Sequence, residues 1–411
     1  MFIGVALLGI GLVGLAEWLL KKRRALADPS RLDELILWGG GLSVACLIRL
    51  VYLNYEAPDF GFCLLPWYNQ IEAHGLGSIT YQFCNYPPLY LHLVALGTHL
   101  PLPPLYLYKF IAFGADFACA WLTYRSLLPS VTSRKVAIVA ALGVLVAPTV
   151  VYNSALMSQA DMTYTVFLVL AAHLMGRGSY GHALVAVGLA FCFKLQAVFF
   201  ALPVAALWVR GKVTLPQLLV IPGAYVLSTI PSGLLGRGWL DVLTIYVHQT
   251  THFPSLTLCA PSVYAFLAGF PYLPVAYVGI ALTGGFLFFF AYLVMVKRMA
   301  FTPRLIISLG LLSTLGIPYL LPSMHERYFF AADIFAILYA FHYPRRFFVP
   351  IVMIFCSFMS YNCYLVSQKY IGLAPMALAL GTLLIYLIRQ FVREIWRGSP
   401  LPLADNGHPP K

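Results

Sequence analysis

The sequence predicts an all-α polytopic integral membrane protein with about 12 or 13 transmembrane helices. Of its 411 residues, 61% are hydrophobic and only 10% are charged, and the mean hydropathy is +0.83. A soluble chain of this length could not keep so much apolar surface out of water. Apolar runs also recur along the chain, each near the roughly 20 residues that cross a hydrocarbon core.

Each apolar run is a candidate crossing. The runs lie near residues 2–20, 35–53, 104–124, 134–152, 161–176, 180–194, 195–209, 216–235, 274–296, 304–321, 328–343, 347–366 and 371–388. The adjacent runs 180–194 and 195–209 are short for two full spans, so we expect a broken hairpin there. The run 2–20 precedes a basic KKRR segment, which is the reverse order of a cleaved signal peptide and predicts a retained helix.

Lysine and arginine residues cluster in alternate loops, and such residues favour the cytoplasmic side of a membrane. The clusters include residues 21–24, 125–135, 297–304 and 389–397. Six cations fall elsewhere: Arg49, Lys109, Lys194, Arg237, Arg327 and Lys369. The net charge of +12 is therefore mostly a consequence of topology, and it does not indicate binding to nucleic acid.

The apolar run 87–100 does not fit this alternation, because counting it as a span would place the basic stretch 125–135 outside. The run is short and flanked by prolines, so we expect an interfacial or re-entrant helix. Residues 54–103 then form one large external loop. The chain divides into an N-terminal transmembrane helix with a basic cytoplasmic loop (1–34), a main transmembrane domain (35–398) and a disordered cytoplasmic tail (399–411).

The eight cysteines show no spacing typical of a metal site. Four fall within apolar runs and are expected to be small packing residues: Cys46, Cys119, Cys192 and Cys356. Cys63 and Cys84 share the external loop, where a disulfide and two free thiols both remain open interpretations.

Ionisable residues gather on the predicted external side, although they come from five separate parts of the chain. Such groups near a membrane are costly and often functional. They are Glu56, Asp59, Glu72, Asp161, Lys194, Arg237, Asp241, His248, His252, His325, Glu326 and Arg327. Asp59 has no lysine or arginine near it in the sequence. It is interpreted either as a solvated or helix-capping aspartate or as a general base that accepts a proton from a hydroxyl nucleophile.

Asp161 lies where the chain re-enters the membrane. Capping of the following helix and holding of an acceptor hydroxyl are both open, and one does not exclude the other. Lys194 lies deep in apolar sequence, where it could snorkel to the interface. We favour a phosphate-binding role at the turn of the broken hairpin, because a buried lysine needs an anionic partner.

His325 and Arg327 flank a glutamate at the external start of a span. An interfacial charge cluster with an aromatic belt is one interpretation. Binding of a phosphate or pyrophosphate is the other, with Arg237 as a reserve cation. His248 and His252 have the i, i+4 spacing of a zinc pair, but no third ligand is evident.

Five segments, in this order, resemble those of the C-type (GT-C) glycosyltransferases, multi-span enzymes that use polyprenyl-phosphate sugars, and most closely the bacterial mannosyltransferase-like members. They are PDFGFCLLPWYNQIEAHG, FCNYPPLYLHL, SQADMTYTVFLVLAAHL, LAFCFKLQAVFF and MHERYFFAAD, and they cover most of residues 55–340. The resemblance implies that Asp59 is the catalytic carboxylate of a first external loop containing juxtamembrane helices. It also implies that Asp161 is the second acidic position, and that Lys194 and residues 325–327 hold the donor phosphate.

One departure from that family concerns metal dependence. Metal-dependent members often carry paired acidic residues in the first loop, whereas this chain has Glu56-Ala-Pro-Asp59 and no Asp-x-Asp. We therefore expect no cofactor and no metal, with Glu56 as an additional acidic candidate. The chain also has no large soluble C-terminal domain, which argues against an oligosaccharyltransferase acting on protein.

The expected function is transfer of a hexose, with mannose favoured, from a polyprenyl-phosphate donor to a lipid or glycan acceptor by inverting direct displacement. The site would face the periplasmic or external side of a membrane, which we expect to be a bacterial inner membrane. Side chains expected to line the sugar are Trp67, Tyr68, Asn69, Asn85, Tyr86, Gln159, Gln196 and His248. The alternatives are a lipid or sugar transporter or flippase, and a polysaccharide ligase or polymerase.

Overall fold

The structure is a computed structural model that describes residues 29–80, 83–84, 86–251, 254–297, 300–365 and 370–397. The predicted N-terminal helix near 2–20 and the predicted tail 399–411 lie outside the described residues, so their predictions stay open.

The described chain is built almost wholly of helices. They are α1 (Pro29–Val51), α2 (Leu65–His74), α3 (Pro88–Gly97), α4 (Pro104–Leu127), α5 (Arg134–Val146), α6 (Pro148–Leu156), α7 (Asp161–Gly176), α8 (Tyr180–Phe193), α9 (Leu195–Val209), α10 (Leu215–Leu234), α11 (Trp239–Thr251), α12 (Tyr272–Lys297), α13 (Pro303–Leu320), α14 (Phe330–His342), α15 (Phe348–Leu365) and α16 (Leu373–Arg397). Two strands, β1 (Thr257–Leu258) and β2 (Met324–His325), pair in parallel.

The protein is an all-α polytopic integral membrane protein, as the composition predicts. Among the described residues, seven helices are long and apolar enough to cross a membrane. They are α1, α4, α10, α12, α13, α15 and α16. Helices α5 and α6 together make an eighth candidate, bent by 45° at a break.

Two runs predicted as spans, 161–176 and 328–343, and the run 180–194, which was predicted to be short, form short helices in the structure. Helices α7, α8 and α14 have 16, 14 and 13 residues, and all but one residue of α14 is buried. A helix that is apolar all round is buried, whether protein or lipid surrounds it. A prediction from hydrophobicity alone therefore includes these helices among the crossings, although they are shorter than the roughly 20 residues that a crossing needs.

The predicted broken hairpin has its break at Lys194. That residue is extended, with φ −159° and ψ 140°, between the end of α8 and a 3₁₀ turn, Leu195–Phe200, that opens α9. The break places the polar side chain of Lys194 among apolar helices.

The loop between α1 and α4 contains two helices of ten residues each, α2 and α3. At 1.5 Å per residue, a ten-residue helix is about 15 Å long, roughly half of a hydrocarbon core. Helix α3, the run predicted not to cross, is therefore too short to do so.

Lys109 of α4 anchors the start of that loop. Its side chain is fully buried, and its Nζ donates to the carbonyl oxygens of Tyr52 (2.5 Å), Leu53 (3.0 Å) and Tyr55 (2.7 Å). These carbonyls lie just beyond the end of α1, which is Val51. The lysine thereby fixes the segment that leads to Asp59.

A disulfide joins Cys259, just after β1, to Cys363 of α15. Cys63 and Cys84, the pair considered from sequence, are free thiols. Of the four cysteines predicted to pack in apolar runs, Cys46 is exposed and the other three are buried. The observed bond ties the β1 segment to the helical bundle next to the cavity described below.

Candidate functional site

A cavity of about 460 Å³ lies where the α1–α4 loop, the α6–α7 connection, the α8–α9 break and the β2–α14 connection meet. We call it the Asp59 cavity. Its lining residues are Asp59, Cys63, Leu64, Trp67, Tyr86, Pro87, Gln159, Lys194, Gln196, Gln249, Leu258, Cys259, His325, Glu326, Arg327 and Tyr328. Distant segments of the sequence thus contribute polar groups to one cavity. The sequence predicts that these groups lie on the same side of the membrane.

Asp59 stands at the start of a π-helical turn, Phe60–Leu64, that leads into α2. Such turns are rare and often occur at functional sites. Gln159 Nε2 donates to Asp59 Oδ2 at 2.7 Å, and Arg327 Nη1 lies 3.8 Å from the same oxygen. The side chain is 14% exposed and does not cap the helix. It is held in place while it faces the cavity.

Gln159 reaches Asp59 because of an unusual turn. Ser158, the preceding residue, has φ +54°, a left-handed conformation that non-glycine residues seldom adopt. The backbone N–H of Gln159 donates to the carbonyl of Asn153 at 2.8 Å. The turn between α6 and α7 therefore directs this amide towards Asp59 in the α1–α4 loop.

Asp161 is fully buried and does not line the cavity. Lys194 Nζ lies 2.6 Å from its Oδ1, Asn153 Nδ2 donates to its Oδ2 at 2.9 Å, and Arg327 Nε lies 3.8 Å from Oδ2. Ala160, and not Asp161, is the N-cap of α7. The carboxylate therefore serves as a buried counter-ion for the two cations that line the cavity.

The two predicted phosphate-binding cations, Lys194 and Arg327, line the same cavity as Asp59. Lys194 Nζ also lies 5.8 Å from the centre of the Tyr86 ring, a cation–π distance. Arg327 Nη1 is 2.7 Å from Glu326 Oε1. Both cations have carboxylate partners, which compensate the cost of burying their charge.

Glu326 is almost fully buried beside this pair. Burial raises the pKa of its carboxyl, but Arg327 and His325 lower it by more, so that the pKa falls to about 2. His325 Nδ1 lies 3.6 Å from Glu326 Oε2. Glu326 therefore stays ionised across the physiological range and orients the arginine.

The charges around the cavity are nearly balanced. Three carboxylates, Asp59, Asp161 and Glu326, face two cations, Lys194 and Arg327, which gives a formal sum of −1 when His325 is neutral. An anionic ligand must therefore bind through reorganisation of these pairs and not through a surplus of positive charge.

Aromatic and amide groups form the other part of the cavity wall. The rings of Trp67 and Tyr86 are 5.1 Å apart and tilted by 55°, and burial raises the pKa of the Tyr86 hydroxyl. Gln159 and Gln196, both predicted from sequence, also line the wall. Apolar ring faces next to amides suit a ligand with both C–H faces and hydroxyls.

Several predicted residues do not reach the cavity lining. Tyr68 is buried with its hydroxyl donating to Glu72 at 3.2 Å, and Glu56, Asn69 and His248 are exposed elsewhere. Each of these residues is close in sequence to a lining residue, and the sequence alone does not show which side of the chain faces the cavity. Asn85 and His252 lie outside the described residues.

Arg237, the reserve cation, is also absent from the lining. Its Nε pairs with Asp241 Oδ2 at 2.7 Å, four residues along the chain. The i, i+4 spacing of opposite charges could have indicated this local pair.

Sequence reasoning missed several lining residues, among them Cys63, Pro87, Gln249, Cys259 and Tyr328. Burial, with Asp59 nearby, raises the pKa of the Cys63 thiol. Cys259 enters because a bridge to His325 and the disulfide bring it there. Cys63 could have been predicted from its position, because it lies one helical turn beyond Asp59.

Among the described residues, no group of three or more His, Cys, Asp or Glu side chains is arranged to hold a metal ion. Comparison with protein-family models and with curated protein sequences finds no match for this chain.

Proposed function

We propose that this protein is a membrane glycosyltransferase that moves a hexose, with mannose favoured, from a polyprenyl-phosphate donor to a hydroxyl of a lipid or glycan acceptor. The observation that carries the proposal is the Asp59 cavity. A partly exposed carboxylate, a buried lysine, a partly exposed arginine and an aromatic–amide wall converge there from distant segments. Transfer of a sugar from a phosphate needs a carboxylate to accept a proton, cations to bind the phosphate, and a wall that binds the sugar.

In this reaction Asp59 takes the proton from the acceptor hydroxyl as its oxygen attacks the anomeric carbon. The bond from that carbon to the phosphate oxygen breaks, and the lipid phosphate leaves with the electron pair. Lys194 and Arg327 stabilise the charge that develops on the leaving group. Direct displacement of this kind inverts the anomeric configuration.

The cations would bind phosphate by partner exchange. Arg327 contacts three carboxylates at 2.7 to 3.8 Å, so a phosphate near its guanidinium can replace the longer contacts while Glu326 keeps the shortest. This arrangement explains how a nearly neutral cavity can accept an anion. A fork-shaped guanidinium also suits bidentate phosphate binding.

The disulfide supports an external location for the cavity. Disulfides form and persist in oxidising compartments, and Cys259 both lines the cavity and bonds to Cys363. The charge distribution of the loops favours the same side. We therefore propose that the cavity opens to the periplasmic or extracellular side.

The charges embedded among the spans favour an enzyme over a transporter. Arg49 and Asp116 pair with each other at 2.6 Å, and Arg49 also donates to the carbonyl of Leu145 at 3.2 Å. Lys109 binds backbone carbonyls. These groups join helices, so they do not line a path across the membrane.

The test is incubation of the purified protein with a panel of radiolabelled polyprenyl-phosphate sugars and total membrane lipid. We expect one lipid-phosphate hexose to yield a labelled product, and the same sugar on a nucleotide to yield none. Absence of product from every lipid donor, with the protein folded, would refute the proposal.

A further inference from the structure

Gln196 stands apart from the other polar residues of the cavity. It is 5% exposed and lines the cavity wall, yet its Oε1 is buried without a hydrogen-bond partner. Gln159, in contrast, commits its amide to Asp59 at 2.7 Å. A buried amide oxygen without a partner destabilises the folded protein, so its retention calls for an explanation.

The position of Gln196 makes its amide available to a ligand. It lies two residues after the break at Lys194, in the first turn of the 3₁₀ segment Leu195–Phe200. Neighbouring Ala197 and Phe199 are packed into the core, which fixes the backbone, while rotation of the terminal amide can present either an acceptor or a donor to the cavity.

Charge decides which ligand group suits this amide. The cavity has a formal sum of −1 with neutral His325, and Lys194 and Arg327 already face carboxylates. A second anionic group on the ligand would meet no further lysine or arginine among the described lining residues. A hydroxyl both donates and accepts a hydrogen bond, so it satisfies an uncommitted amide without adding charge.

We infer that Gln196 is a specificity-determining residue that binds one ring hydroxyl of an uncharged hexose. The inference rests on the proposed function for the identity of the ligand, a polyprenyl-phosphate hexose. It adds that the sugar carries no carboxylate, and that one of its hydroxyls is read by this amide.

The experiment is a binding cycle between protein and ligand variants. Farnesyl-phosphate mannose, its monodeoxy analogues and the matching hexuronate are titrated against the wild-type protein and Gln196→Met. We expect Gln196→Met to bind the parent sugar about 10-fold more weakly. We also expect one deoxy analogue to bind both proteins equally, because it lacks the hydroxyl that the amide reads.

The control is Gln70→Met, which replaces a glutamine of α2 outside the cavity lining and should leave every affinity unchanged. If Gln196→Met does not fold, Gln196→Asn makes the same test, because it keeps the amide but withdraws it from the ligand. Equal weakening of all analogues by the variant, or wild-type binding of the hexuronate as tight as that of the hexose, would overturn the inference.

Binding and transfer fail separately in this design. Coupling between Gln196 and one hydroxyl without any transfer would refute the proposed function and support the inference. Transfer without coupling would do the reverse, and absence of binding by every ligand would overturn both.

Discussion

Asp59 and Asp161 are both acidic residues that lie near Arg327, yet the protein surrounds them differently. Asp59 is 14% exposed, accepts from one glutamine and faces the cavity. Asp161 is fully buried, with a lysine and an amide within 3 Å. A carboxylate that must take a proton from a ligand needs access to that ligand, whereas one that positions cations needs burial. Under the proposed function, Asp59 is therefore the expected proton acceptor, and Asp161 is the expected counter-ion that positions Lys194 and Arg327.

The largest expected effect separates the two carboxylates by turnover. Asp59→Asn keeps the shape of the side chain and removes the proton acceptor, so transfer should fall by about 10²–10⁴-fold while thermal stability stays near that of the wild type. Glu72→Gln, an exposed substitution in the same loop, is the matched control. Near-normal turnover by Asp59→Asn would show that Asp59 is not the proton acceptor.

The next effect concerns stability. Asp161→Asn leaves Lys194 buried without its counter-ion, and loss of one partner of a buried pair costs about 3–5 kcal/mol of unfolding free energy. Denaturant titration in mixed micelles measures this loss. Adding Lys194→Met should restore part of it, because the uncompensated charge is then gone.

The Lys135–Asp33 pair provides the control for that experiment. Its side chains are 40% and 33% exposed, so Asp33→Asn should cost no more than about 1 kcal/mol. Equal losses for Asp161→Asn and Asp33→Asn would contradict the positioning role of Asp161.

A smaller effect is expected from the disulfide. Cys259→Ala should lower the unfolding free energy by about 2–4 kcal/mol, because the bond closes a loop of 104 residues. Treatment of the wild-type protein with a reductant should produce the same loss, and Cys46→Ala, at an exposed free cysteine, should produce none. An unfolding free energy of the wild-type protein that does not change on treatment with reductant would contradict the Cys259–Cys363 disulfide.

A further effect is a pH dependence near the cavity. Because the pKa of Glu326 is about 2 in the folded protein, below its ordinary value near 4.5, its contribution to stability is complete above pH 4.5. That contribution is lost as the pH falls through 2. The melting temperature of the wild type should therefore fall more between these pH values than that of Glu326→Gln, and parallel curves would contradict the ion pair.

Composition and periodicity were sufficient for the class of fold but not for the number of crossings. Helix α14 is as apolar as a lipid-facing helix, although protein covers it, and hydrophobicity does not distinguish the two environments. The shortness and flanking prolines of the run around α3 favoured a helix that does not cross, and the ten residues of α3 agree with that prediction.

The site was predictable where an ionisable residue interrupts apolar sequence, as at Lys194 and Arg327, since burial of charge demands a partner. It was not predictable at Gln249 or Cys259, which enter the lining through long-range contacts. Neither could sequence distinguish Tyr68 from its neighbour Trp67, because adjacent helical residues face different directions and the cavity side of α2 was unknown.

The central claim is that the Asp59 cavity transfers a hexose and does not carry an intact lipid-linked sugar across the membrane. Its most direct test uses proteoliposomes whose polyprenyl-phosphate hexose carries one label on the sugar and another on the lipid, with the donor in the leaflet that the cavity faces. We predict that the sugar label moves to the acceptor while the lipid label stays in its leaflet as polyprenyl phosphate. Appearance of both labels together in the opposite leaflet, with no product formed, would contradict the account and identify a flippase.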